Sequence, residues 1–223
     1  MSLLPAIVQG GLIGLITGFV ICIPVGPVNV TIINEGAQRG FRWAVMIGFG
    51  AIVMEVIYCA VGFAGFSTLL FTSRLVKAAM ELISFLLLLY LGLKYLAARS
   101  VPASNPAVEK FEEKLHPHSA FMTGFVRVLG NPIVLLFWIA VAGAFTSHEW
   151  ISPGWPAKGS FFAGVGVGGS LWFLLLSYIV SLRHGRFSTH TLLRMSQVSG
   201  ALLLCVALIL GVRIVTLLAR RGG

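Results

Sequence analysis

Two short proline-containing motifs carry the residue types with which this sequence could bind a small anion. The first is Ile23-Pro-Val-Gly-Pro27 and the second is Asn131-Pro132, and each interrupts a long apolar stretch. Proline removes an amide donor and clashes with the preceding helical turn, so we predict helix breaks at Pro24, Gly26, Pro27 and Pro132. Gly26 and Asn131 would then be N-caps with proline at the first helical position. The amide end of such a helix attracts carboxylates, and a structural kink without a ligand is the alternative.

Glu55 and Arg127 are charged residues inside apolar stretches. A carboxylate near the bilayer centre costs about 2.5 kcal/mol or more on insertion scales, so it is usually paired, protonated or functional. We predict that Glu55 exchanges a proton or binds an ammonium group, and an ion pair with Arg127 is the alternative. Arg127 could instead hold a carboxylate with two hydrogen bonds or extend to the membrane interface. The complete predicted binding set is Gly26, Pro27, Asn29, Glu55, Arg127, Asn131 and Pro132.

The composition indicates the kind of protein that must position these residues. Of the 223 residues, 57% are apolar and only 10% are charged, and the mean hydropathy is +0.95. A soluble protein of this size needs a mostly polar surface, so we predict an all-α integral membrane protein and exclude soluble enzymes and nucleic-acid binders. A spanning helix needs about 20 mostly apolar residues. Six stretches qualify, namely 7–33, 43–66, 75–98, 119–145, 159–182 and 192–218.

The charges near the ends of these stretches predict the orientation of the chain. Lys and Arg residues other than Arg127 divide nine to six between the two sets of loops, and the richer set faces the cytoplasm. Both termini are therefore expected outside, and the linker 99–118 is expected in the cytoplasm. No metal site, cofactor or catalytic triad is predicted, because the pair His116 and His118 has no second ligand cluster.

The two halves of the chain share short motifs in the same order. Thr17-Gly-Phe-Val20 matches Thr123-Gly-Phe-Val126, and Leu91-Gly-Leu-Lys94 matches Leu210-Gly-Val-Arg213. Three spans per repeat give the halves opposite orientations, as in many secondary transporters. We therefore predict two inverted three-helix repeats, 1–98 and 119–223, with broken helices 1 and 4.

Small residues recur at helical spacing within several stretches. Gly14 and Gly18, and likewise Gly164 and Gly168, have the spacing of close helix contacts. A further stripe contains Gly166, Ser170, Ser177 and Ser181. For this stripe we favour helix packing over a polar path.

These motifs together resemble the LysE/RhtB family of amino-acid exporters. The resemblance rests on the Pro-x-Gly-Pro-x-Asn run that ends at Asn29, on Glu55 in a glycine-punctuated second span, and on Gly-Phe-x5-Asn-Pro, which ends at Pro132. Val25 interrupts the contiguous Pro-Gly-Pro of many members. The resemblance implies export of amino acids or similar small metabolites across a bacterial inner membrane, driven by an ion gradient, with protons as the expected ion. Membrane lipid would be the other partner, and a homo-oligomer is compatible with the sequence.

Other functions remain as alternatives. A thiol–disulfide electron conductor would need matched cysteines in both repeats, but Cys22 aligns with Val128. A divalent-cation exporter would need several membrane carboxylates, whereas the sequence has no aspartate and only Glu55 lies deep. A non-transporting membrane scaffold is the third alternative.

Overall fold

The computed structural model describes residues 3–23, 26–69, 74–99, 110, 114–115, 119–147, 149–182 and 189–219. Every regular element in these ranges is an α-helix. The helices are α1 (Leu3–Cys22), α2 (Pro27–Arg39), α3 (Phe41–Leu69), α4 (Arg74–Leu96), α5 (Ala120–Leu129), α6 (Pro132–Ser147), α7 (Trp155–Leu182) and α8 (Thr189–Ala219). Of the predicted linker 99–118, only residues 99, 110, 114 and 115 are described. Pro24, His116 and His118 lie outside the described residues.

The predicted helical membrane protein is confirmed at the level of secondary structure and apolar length. Three helices, α1, α3 and α7, are long and apolar enough to cross a membrane alone. The pair α5 and α6, which is bent by 66° at its break, makes a fourth candidate span. Within the described chain, α4 and α8 contribute shorter apolar segments, Phe85–Leu96 and Ser196–Val212. The six-span arrangement as a whole therefore stays a prediction.

Local sequence explains where the short helices begin and end. Gly26 is the N-cap of α2 in an extended conformation, with proline at the first helical position. The same helix ends at Arg39, and its C-cap is Gly40, whose φ of 87° is readily adopted only by glycine. Ser119 caps α5 conventionally, because its Oγ accepts a hydrogen bond from Met122 N at 3.2 Å.

Glycines on both helices allow α1 and α7 to pack with their backbones in direct contact. A Cβ added to Gly14 would lie 2.2 Å from the Phe161 carbonyl oxygen of α7, and one added to Gly164 would lie 2.3 Å from Gly11 O of α1. The predicted close contacts of these glycines are confirmed. Ser177, from the serine stripe, is fully buried and has no hydrogen-bond partner among the described residues, which fits helix packing better than a polar path.

The contact of α1 with α7 and the contact of α5 with α3 share one packing register. Gly18 lies against Val165 O, and Gly124 lies against Ile47 O. Likewise, Gly168 lies against Leu15 O, and Gly50 lies against Phe121 O. The contacting positions of α1 and of α5 are 106 residues apart in sequence (18 and 124, 15 and 121). The contacting positions of α3 and of α7 are 118 residues apart (47 and 165, 50 and 168). The helix α4 packs along α8 through Gly92 and Gly200.

Candidate functional site

The first helix break lies between α1 and α2, and Asn29 joins its two sides. Asn29 is only 3% exposed, and its Nδ2 donates to the carbonyl oxygen of Cys22, the last residue of α1, at 2.9 Å. Its Oδ1 accepts a hydrogen bond from Trp172 Nε1 of α7 at 3.2 Å. Asn29 therefore satisfies the end of α1 and fixes the start of α2 to α7. Gly26 is the N-cap residue of α2 and has no side chain, so it accepts no side-chain hydrogen bond from the first amides of that helix.

Arg127 reaches the same break from α5. Its Nη1 donates to the Pro27 carbonyl oxygen at 3.3 Å and to Thr31 Oγ1. The Thr31 hydroxyl in turn donates to Pro27 O at 2.7 Å. The guanidinium is thus directed into the first turn of α2, across from its own helix.

The second break, between α5 and α6, differs from the first because it carries its own cap. Asn131 Oδ1 accepts a hydrogen bond from Ile133 N at 3.2 Å, and Pro132 has no amide hydrogen to offer. The last carbonyl of α5, Leu129 O, accepts a hydrogen bond from the Tyr58 hydroxyl of α3 at 2.7 Å. Of the two helix ends predicted to attract anions, the α6 end is capped by the side chain of its own N-cap residue, and the α2 end is not.

Glu55 lies half-buried on α3, one turn before Tyr58. Its Oε2 accepts a hydrogen bond from Nε1 of Trp138, a residue of α6 that is 1% exposed. Within the described chain, no salt bridge joins Glu55 to Arg127. Glu55 is also within electrostatic range of Cys22 of α1, Tyr58 and Cys59 of α3, and Tyr95 of α4.

The predicted residues fall into two polar groups, one at each break. Gly26, Pro27, Asn29 and Arg127 meet at the first break, and Asn131 and Pro132 form the second, to which the Glu55 turn of α3 is bonded. Arg127 therefore lies at the first break, and Glu55 lies near the second. In the described residues, no group of three potential metal ligands comes together.

Sequence reasoning missed four residues that complete these groups: Thr31, Tyr58, Trp138 and Trp172. Tyr58 was detectable in principle, because it follows Glu55 by three residues and so shares its helix face. Trp138 is 83 positions from Glu55, and Trp172 is 143 positions from Asn29. No local pattern relates residues that far apart.

The sequence is similar to known proteins over most of its length. The family model described as LysE-type translocator matches residues 19–213, which include both breaks and Glu55. The chain is 26% identical over 190 residues to YcgF of Bacillus subtilis, a protein named for amino acid efflux, with 85% of this chain and 89% of that protein covered. It is 24% identical over 169 residues to the chemotactic transduction protein ChpE of Pseudomonas aeruginosa, with 76% of this chain and 81% of that protein covered. No solved structure matches the chain. Because the family model matches most of the sequence, the chain belongs to the LysE-type translocator family, whose members are transporters rather than enzymes.

Proposed function

We propose that this protein is a secondary transporter that exports amino acids or similar small metabolites across the bacterial inner membrane in exchange for protons. Family membership and the relative named for amino acid efflux support an exporter. The observation that carries the proposal is the pairing of opposite charges with two helix breaks. Arg127 is bonded to the first turn of α2, and Glu55 is bonded to α6 beyond the second break. A zwitterion needs one partner of each sign.

The proposed architecture has six spans in two inverted halves, 1–98 and 119–223, joined by the cytoplasmic linker 99–118, with both termini outside. The shared register of α1 on α7 and α5 on α3 supports a duplication, because two copies of one unit would pack by the same residue offsets. In transporters of this plan, the substrate lies near the bilayer midplane where the halves meet. The two breaks support a site at this depth, because each divides a long apolar stretch.

The substrate carboxylate is proposed to bind at the start of α2. The amides that follow Gly26 and Pro27 carry the positive end of the helix dipole, and Arg127 adds charge-assisted hydrogen bonds. Asn29 satisfies the carbonyl oxygen of Cys22 at the end of α1, and Gly26 places no side chain on the first amides of α2. Asn131 and Pro132 contribute the start of α6 and act mainly by maintaining the second break, because Asn131 already occupies the Ile133 amide.

Glu55 is proposed to bind the substrate ammonium in one state of the cycle and a proton in the other. A proton that enters from outside neutralises the carboxyl group and releases the ammonium outward. Loss of that proton to the cytoplasm restores the anion for the next substrate. Rocking of one half against the other exposes the site to each side in turn. The inward proton gradient thereby drives outward substrate movement.

The test is efflux of a mixed labelled amino-acid pool from proteoliposomes, with and without an imposed pH gradient. Wild type should lose one or a few amino acids in a gradient-dependent manner, and Glu55→Gln should not. Glu35→Gln is the matched control, because Glu35 is a carboxylate of the same half of the chain that pairs with Arg39 at 3.0 Å near the end of α2. Equal gradient dependence in wild type and Glu55→Gln would contradict the coupling role.

A non-transporting membrane role is the second candidate, and the similarity to a chemotactic transduction protein favours it. The same proteoliposomes decide between the two. If no amino acid leaves wild-type vesicles under either condition, the proposed export is wrong and the non-transporting role is supported. Gradient-driven loss of any amino acid eliminates a purely structural role.

A further inference from the structure

One turn of α3 is bonded to both sides of the second helix break. Tyr58 donates to Leu129 O at the end of α5, and Glu55 accepts from Trp138 in the second turn of α6. The break between these two helices bends the chain by 66°. The angle at the break is therefore tied to α3 at two points, and one of those points is a group that can gain or lose a proton.

Close packing keeps Trp138 next to Glu55. Trp138 is 1% exposed, and a Cβ added to Gly62 of α3 would lie 2.9 Å from the Trp138 carbonyl oxygen. The helix α6 thus lies directly on α3, two turns beyond Glu55. Because α6 is in direct contact with α3, the Trp138 side chain has little room to turn its N–H toward another acceptor.

The titratable groups within electrostatic range of Glu55 include the thiols of Cys22 and Cys59 and the hydroxyls of Tyr58 and Tyr95, from α1, α3 and α4. In the described ranges no basic side chain forms a salt bridge with Glu55, and this includes Arg127 of α5, a helix that packs on α3. The indole N–H of Trp138 is the one hydrogen-bond donor that the described structure places on this carboxyl group. Trp138 is therefore the neighbour best placed to set how Glu55 binds a proton.

We propose that Trp138 is a positioning residue that orients the Glu55 carboxylate and couples its protonation to the angle of α6. This inference rests on the proposed function, because it assumes that Glu55 carries the exchanged proton. A hydrogen bond to an ionised carboxylate is stronger than one to a neutral carboxyl group. Deprotonation of Glu55 therefore tightens α6 on α3, and protonation loosens it. Protonation of Glu55 thereby changes the angle at the second break, and through this angle it acts on the transporter.

The experiment compares the pH dependence of proteoliposome efflux in wild type, Trp138→Phe and Trp172→Phe. Trp138→Phe removes a donor from a carboxylate, so Glu55 should keep its proton to higher pH and the midpoint should rise by at least about one pH unit. Trp172→Phe removes the matching indole donor from the neutral amide of Asn29, so its midpoint should equal that of wild type. An unchanged midpoint in Trp138→Phe would overturn the proposal.

A second variant separates this effect from a loss of packing. Placing 3-benzothienylalanine at position 138 by amber suppression keeps the shape of the indole and replaces only its N–H, so it should shift the midpoint as Trp138→Phe does. In the Glu55→Gln background, Trp138→Phe should change substrate affinity less than it does in wild type. Equal changes in the two backgrounds would show that Trp138 acts through packing alone and would overturn the inference. Failure of the proposed function is distinct, since it would appear as undiminished gradient-driven efflux in Glu55→Gln.

Discussion

Replacing Gly124 by alanine should force α5 away from α3 and disturb both helix breaks. A Cβ at Gly124 would lie 1.8 Å from Ile47 O and 2.9 Å from Ala51 N, whereas real Cβ atoms essentially never approach within 3.0 Å. The obstructing atoms are backbone, so the two helices must separate by at least about 1.2 Å. The same movement would lengthen the 2.7 Å hydrogen bond between Tyr58 and Leu129 O to about 3.9 Å, beyond hydrogen-bonding range.

The expected cost combines overpacking with that lost bond. Overpacking a close contact costs about 1–3 kcal/mol, and an unsatisfied buried carbonyl costs about 1–3 kcal/mol more. The assay is thermal unfolding of purified protein in detergent, followed by efflux from proteoliposomes. Gly124→Ala should lower the Tm clearly and slow efflux, because Arg127, one turn along α5, moves away from Pro27.

The matched control is Gly159→Ala, since no described residue lies within 4 Å of a Cβ added at Gly159 on α7. It measures the intrinsic gain of an alanine in a helix, which is up to about 1 kcal/mol. Gly18→Ala, the equivalent position in the first half, should lower the Tm much as Gly124→Ala does, because its Cβ would lie 2.3 Å from Val165 O. Equal Tm values for Gly124→Ala and Gly159→Ala would refute the packing argument.

Three further variants test the site. Arg127→Lys keeps the charge but loses the planar fork, so the KM for the exported substrate should rise about tenfold in efflux assays, and an unchanged KM would remove Arg127 from the binding set. Tyr58→Phe should lower the free energy of unfolding by about 1–3 kcal/mol in denaturant titration, because Leu129 O loses its partner; no loss would show that this bond contributes nothing. Pro27→Ala combined with Pro132→Ala should let the helices continue and should weaken substrate binding measured by thermal shift, and wild-type binding would argue against the helix-end site.

The sequence by itself determined the helical membrane character of the chain and its family. Apolar stretches must become helices in a bilayer, because no water is present there to satisfy the backbone. Proline and glycine act on their own neighbours, so the first helix could be expected to end before Pro27 and the fourth before Pro132, where α2 and α6 begin. The motifs around these prolines resembled the LysE/RhtB family, and the family match confirms that membership.

Only the tertiary structure decided which partner each polar group has. Local pattern made Gly26 and Asn131 equivalent candidates for an open helix end, yet Asn131 bonds to the Ile133 amide and Gly26 has no side chain to do so. Arg127 could have paired with Glu55 or extended to the interface, and the fold instead directs it to Pro27. Such choices depend on how helices from opposite halves approach one another. That approach is set by backbone contacts at a few glycines, whose partners lie more than 70 residues away in the chain.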